Sequence, residues 1–259
     1  MRLSFWSDGE RRRTELLIAA RFLTRLPFGA ATAPEPGDLA RASWALPLVG
    51  AAIGVACAAI FAVAMSVHMP PLCAALLAVG TGTLVTGALH EDGLADTADG
   101  LGGGADREAK LAIMRDSRSG AYGVLAVVFS VGLRAAAVAT LASGGAALAA
   151  FVAAHAVGRG GLPAVLYLVP AARSDGLGAA AGRPEAEEMA WALGLAAVIA
   201  LAALGLGAGI AALVIAGLTM AALAALAERQ IGGHTGDVLG AIEQGGETAM
   251  LLAAASWAW

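Results

Sequence analysis

The chain has 259 residues, 59% of them hydrophobic and 14% charged, with a formal net charge of −4. An ordinary soluble domain carries about 25% charged residues. With a mean hydropathy of +0.76 and apolar residues in long unbroken runs, the composition excludes a large water-soluble core and indicates an all-α polytopic membrane bundle. The charge balance is too small to call for a polyanionic partner, so no nucleic acid is expected.

The first thirty residues do not read as a cleavable signal peptide. They hold Asp8, Glu10 and Glu15, and the apolar patch at 16–20 is broken by Arg21 and Arg25. An amphipathic helix on the membrane surface fits better than a span, with Arg11, Arg12 and Arg13 as a topogenic signal able to touch anionic lipid. Residues 1–42 form this N-terminal cytoplasmic or interfacial segment, and residues 43–259 the bundle; the two make one domain.

Spans are expected at residues 43–65, 70–89, 124–142 and 146–169, the last kinked at Pro163. Residues 190–227 carry no charge and suit two spans of about 19 residues, with the turn in LGLGAG at 204–209. Residues 248–259 are apolar but short, a final half-span or an interfacial cap with Trp257 and Trp259 at the headgroups. Cys57 and Cys73 lie inside apolar runs and read as small core residues, not as ligands or a redox pair. The polar linkers at 31–42, 91–123, 170–189 and 228–247 fall on one side, and of the 16 Lys and Arg all but Arg134 and Arg159 lie in them or in the N-terminal segment. This positive-inside pattern supports six spans, a doubtful seventh and a cytoplasmic N-terminus. Gly accounts for 35 residues, whose plain reading is close helix packing that would also permit homo-oligomers.

The acidic block LHEDGLADTADGLGGG, at 89–104, begins where the second span ends. Asp92, Asp96 and Asp99 are spaced i, i+4 and i+7 and project from one face of a helix. Like charges so placed repel, and a divalent cation is the simplest compensation. Hard carboxylate oxygens suit Mg²⁺, Mn²⁺ or Ca²⁺; Mg²⁺ in particular binds through a few carboxylates plus substrate phosphates. Asp92 and Asp96 would hold it, with Glu91 or Asp116 completing the set. A solvated acidic loop is the bland alternative. Gly102 and Gly103 would let a substrate approach the backbone closely.

In MRDSRSGAYG, at 114–123, Arg115 and Arg118 share a helix face and are suited to clamp phosphate oxygens, with Ser117 offering a hydroxyl. Neutralising the acidic block is their alternative role. In GGHTGDVLGAIEQGGE, at 232–247, His234, Thr235 and Asp237 make a polar knot between glycines, and Asp237 could join the metal site. Arg159, one turn after His155, lies towards the cytoplasmic end of its span and could reach the same pocket to hold a phosphate; Arg134 reads as a structural partner. Asp99 is the candidate general base for an attacking hydroxyl, and Asp237 the next. Metal, arginine clamps and a carboxylate base are the parts of a phosphoryl-transfer site.

With FLTRLP (22–27), PLVG (47–50), HEDGLADTADGLGGG (90–104), MRDSRSGAYG and GGHTGDVLGA (232–241) in order over nearly the whole chain, the sequence resembles the cobalamin synthase family, the adenosylcobinamide-GDP ribazoletransferases. The resemblance implies an integral inner-membrane enzyme that requires Mg²⁺, with its active site facing the cytoplasm. It would join adenosylcobinamide-GDP to α-ribazole or α-ribazole 5′-phosphate, releasing GMP. The family's acidic motif falls on Glu91, Asp92, Asp96 and Asp99. The block shares the logic of CDP-alcohol phosphotransferases, although Asp92-Gly93 is followed by Leu94-Ala95-Asp96, so their literal pattern fails. A small-molecule transporter is the rival from another class; against it, the carboxylates lie at the membrane edge, not the midplane.

Overall fold

The structure, a computed structural model, describes residues 8–28, 37–141 and 144–257. Every regular element among them is helical, and their one strand-type contact is a bridge between Ala171 and His234. Five helical stretches are long and apolar enough to cross a membrane, six if one bent pair counts as a single span. That matches the expected all-α polytopic bundle; the lower of its two expected span counts, six, is reached only with the bent pair taken as one span.

Helix α1 (Gly9–Leu23) does not lie free on a surface. Its Ala19 and Leu23 are fully buried, and its Glu15 accepts hydrogen bonds from Arg12 at 2.6 Å and from Trp44 Nε1 at 2.7 Å. Helix α2 (Asp38–Ala42) passes through a 3₁₀ turn into α3 (Leu46–Ser66), the first long span. Helix α8 (Gly144–Gly160) crosses α3 at backbone contact. A Cβ on Gly50 would lie 2.2 Å from the His155 carbonyl oxygen, and one on Gly54 2.5 Å from that of Phe151. Small residues four apart thus allow the close approach that membrane helices use for packing.

Helix α4 (Pro71–Thr86) ends at Gly87 and Ala88, both left-handed at φ +68° and +59°. The chain turns by 92° there and enters α5 (Leu89–Gly103), which holds the acidic block. Helices α6 (Arg107–Ile113) and α7 (Ala121–Thr140) follow. The expected kink at Pro163 is a break: α8 stops at Gly160, and α9 (Leu162–Leu168) restarts with Pro163 in its first turn, where its missing N–H costs nothing. Helix α10 (Gly176–Ala180) leads to α11 (Ala186–Leu204) and α12 (Leu206–Ile231). The 204–209 turn contracts to Gly205, held at φ +77°.

The chief departure from expectation is α13 (Gly236–Trp257). Residues 228–247 read as a polar linker and 248–259 as a separate half-span. Instead α12 runs to Ile231, and one helix continues from Gly236 through Trp257; Trp259 lies outside the described residues. The carboxylates that depress its hydropathy are not in water: Glu243 and Glu247 are 0% and 1% exposed at the centre of the bundle. Cys57 is buried as expected, whereas Cys73 is exposed on α4. Leu84, Phe129, Val198 and Leu218 are each more than 60% exposed on helix exteriors, a pattern suited to lipid and unfavourable in water.

Candidate active site

Four aspartates meet where α5 crosses the first turn of α13. The crossing needs glycine on both helices: a Cβ on Gly93 would sit 2.7 Å from the Asp237 carbonyl oxygen, and one on Gly240 3.2 Å from Gly93 Cα. Thr235 caps α13, its hydroxyl accepting from Val238 N at 3.2 Å and donating to Asp237 Oδ2 at 3.1 Å. Asp92 is exposed and Asp96 half-buried, while Asp99 is 7% exposed. Burial first, and then the charges of Asp92, Asp237 and Asp99, push the Asp96 carboxyl up to about 6. Burial likewise raises Asp237, against the opposing pull of Arg173.

Asp99 ties α5 to the start of α7. Its Oδ2 accepts from Gly120 N at 2.6 Å and its Oδ1 from Gly123 N at 2.8 Å, so it caps α7 from another helix. Both oxygens are engaged by backbone, a positioning role absent from the sequence reading. Gly102 and Gly103 are exposed, and Cβ atoms on them would meet the Tyr122 ring at 2.9 Å and Ile113 at 3.5 Å. Asp116 is paired with Arg118, whose hydrogen bonds hold that carboxyl down at about 2. Both are surface groups, and Ser117 beside them is exposed. The principal charges acting on Asp96 do not include Asp116.

The segment between α9 and α10 supplies two groups that sequence spacing did not flag. Arg173 Nη2 donates to Asp237 Oδ2 at 3.3 Å, and Arg115 Nη2 lies 2.7 Å from Asp175 Oδ1. Arg173 Nε is 3.8 Å from the same Asp175 oxygen. A chain Arg115–Asp175–Arg173–Asp237 therefore carries two guanidiniums to the edge of the aspartate cluster. The segment is pinned by backbone bonds between Ala172 and His234 and between His234 and Pro170, at 2.8 and 2.9 Å. Arg107 braces it from α6, donating to Ala172 O at 2.5 Å and to Ile231 O at 2.9 Å. His234 is 4% exposed, and burial lowers its imidazole pKa, favouring the neutral ring.

Glu91 and Arg159 belong to a second constellation, in the core. Arg134 donates to Glu247 at 2.8 Å and to Glu91 at 3.3 Å. Arg159 lies 2.6 Å from Glu243 and 3.0 Å from Glu247, and His155 Nδ1 is 2.8 Å from Glu247. Thr83 donates to Glu91, and Gln244 links Ser130 to Glu243. The structure thus separates Glu91 from Asp92 and Asp96, and Arg159 from Arg115 and Arg173.

Two places could hold a metal. His155, Glu243 and Glu247 bring ligand atoms within 4.8 Å of one another, a convergence that the aspartates do not reach. Arg159 already fills that core site with a cation. The aspartates fit a hard divalent ion better: all-oxygen donors, an Asp96 carboxyl lifted by burial and then by its neighbours' charges, and an exposed Asp92 leaving room for water and phosphate.

The family description "Cobalamin-5-phosphate synthase" matches residues 15–255. The chain is 50% identical over 94% of its length to an adenosylcobinamide-GDP ribazoletransferase of Bradyrhizobium diazoefficiens, also covering 94% of that protein. It is 47% identical to proteins of the same name from Azorhizobium caulinodans, over 90% of the chain and 92% of the relative, and from Mesorhizobium japonicum, over 93% and 92%. No solved structure matches the chain. On a match that spans both the aspartate cluster and the α13 polar knot, the chain belongs to the cobalamin-5-phosphate synthase family of membrane transferases in cobalamin biosynthesis.

Proposed function

We propose that the chain transfers the adenosylcobinamide phosphoryl group from adenosylcobinamide-GDP to a ribose hydroxyl of α-ribazole or its 5′-phosphate. A new P–O bond forms to the ribose oxygen, the P–O bond to GMP breaks, and the hydroxyl proton passes to a carboxylate. The observation that carries this reading is the aspartate cluster with two guanidiniums at its edge.

Asp92, Asp96 and Asp237 are the residues that would hold Mg²⁺. Bound there, the ion would polarise diphosphate oxygens and neutralise charge on the transferring group. Arg173 and Arg115 would bind the diphosphate as forks. Asp237, with Oδ2 oriented by Thr235 and a carboxyl raised by burial, suits the proton acceptor better than Asp99, whose two oxygens hold backbone N–H groups. Asp99 then acts by fixing the 114–123 segment against α5. The site opens to the cytoplasmic side of the inner membrane, where the basic loops lie.

Detergent-solubilised protein tests the reading. GMP release from adenosylcobinamide-GDP should require both ribazole and Mg²⁺ and be abolished in a folded Asp92→Asn variant. An active Asp92→Asn enzyme, or activity unaffected by chelator, would overturn it.

A further inference from the structure

A cavity of about 300 Å³ lies beside the start of α13. Its walls are the segment from Leu166 to Ala171, helix α10 with the turn to Arg183, and His234. It abuts the polar knot: a Cβ on Gly178, in its wall, would lie 2.7 Å from Gly236 N. Arg183 lies over the Tyr167 ring, 4.8 Å from its centroid, and its Nε donates to Tyr167 O at 3.0 Å. His234 stands in this wall, 4% exposed; its Nδ1 is sealed inside the protein and has no hydrogen-bond partner among the described residues, which leaves Nε2 as the ring nitrogen that can meet an occupant.

We propose that this cavity is the subsite for the base of the nucleoside substrate, an apolar fused bicycle of the benzimidazole type, with His234 as the residue that determines its specificity. The proposal rests on the transfer reaction above. Two bases enter that reaction, guanine and benzimidazole, and the lining distinguishes them. Guanine presents several donors and acceptors on its edges and needs a carboxylate or amide to match them. Among the described residues, the cavity wall contains no Asp, Glu, Asn or Gln. The backbone N–H of His234 and the carbonyls of Pro170 and His234 are already paired.

A benzimidazole joined to ribose through one nitrogen has a single free acceptor, its other ring nitrogen. One buried imidazole able to donate once, in a wall of Leu166, Leu168, Val169 and Ala179, complements that pattern. The volume is at the small end for ligand pockets, which run from about 300 to 1,000 Å³; it suits a bicyclic base and not a corrinoid. Arg183, exposed at the wall, is the cation available to a 5′-phosphate on the same nucleoside.

Equilibrium dialysis of the full chain in detergent tests this, with three probes: α-ribazole, the indole nucleoside that lacks the acceptor nitrogen, and GMP. Wild type should bind the indole analogue about tenfold more weakly than α-ribazole, the worth of one buried hydrogen bond. His234→Leu should abolish that preference. Ala179→Leu, which fills the cavity from a partly exposed helix position, should weaken α-ribazole binding about tenfold or more and leave GMP within about twofold.

Equal binding of both nucleosides by wild type overturns the assignment, as does a loss that falls on GMP. A subsite that behaves as expected in a chain that releases no GMP would sink the transfer reaction and leave the cavity standing. Ribazole-dependent GMP release with an unchanged ribazole KM in Ala179→Leu would do the reverse.

Discussion

Gly93 on α5 and Gly240 on α13 touch through their backbones, and a side chain on either would force the two helices apart. This contact sets Asp92 and Asp96 beside Asp237. Gly93→Ala places a methyl 2.7 Å from the Asp237 carbonyl oxygen. Overpacking of this kind costs about 1–3 kcal/mol, and the helices must separate to relieve it. The variant should lose Mg²⁺ affinity out of proportion to its loss of thermal stability, measured by metal titration and melting in detergent. Unchanged metal affinity would show that the crossing does not set the site.

Asp96 makes stability depend on pH. Its carboxyl is raised from 3.8 to about 6 in the folded chain. Between about pH 4 and pH 6 the folded protein keeps a proton that the unfolded chain has released, so in chelator this residue makes stability fall as pH rises through that window. Mg²⁺ needs the ionised carboxylate, so its stabilising effect should grow over the same range and be complete above it. Melting curves with and without Mg²⁺ from about pH 4.5 to 7.5 check both trends, and Asp96→Asn should flatten them.

Asp99 distinguishes positioning from proton transfer. Asp99→Ala removes two acceptors of backbone N–H groups and should cost about 1–2 kcal/mol. Asp99→Asn keeps one acceptor and should retain measurable activity with the acidic limb of its pH–rate profile in place. Disappearance of that limb would make Asp99 the general base.

Glu247 ties Arg134 to Arg159 inside the bundle. Removing one member of a buried ion network leaves uncompensated charge and costs about 3–5 kcal/mol. Glu247→Gln should fall near the lower end, read by denaturation in detergent. The double variant Glu247→Met, Arg134→Met should lose less than the sum of the two single variants.

The sequence by itself determined the helical membrane class, the breaks at Gly205 and Pro163, and the helical spacing of Asp92, Asp96 and Asp99. Each is local: apolar run length and carboxylate period are properties of one segment. Its errors came where a segment's environment is another segment. Residues 236–257 are too charged to read as a span, yet their glutamates are neutralised by Arg134 and Arg159 from α7 and α8, partners no window of sequence contains. Glu91 and Asp92 are neighbours in the chain but leave α5 on different faces, one into that core network and the other to solvent. Arg173 has no motif around it and reaches the aspartates only because the Ala171–His234 bridge pins its loop there. Charge counts are additive along a chain, whereas the partner that makes a buried charge tolerable is chosen in three dimensions, and that choice divided the acids between the aspartate cluster and the core ion network.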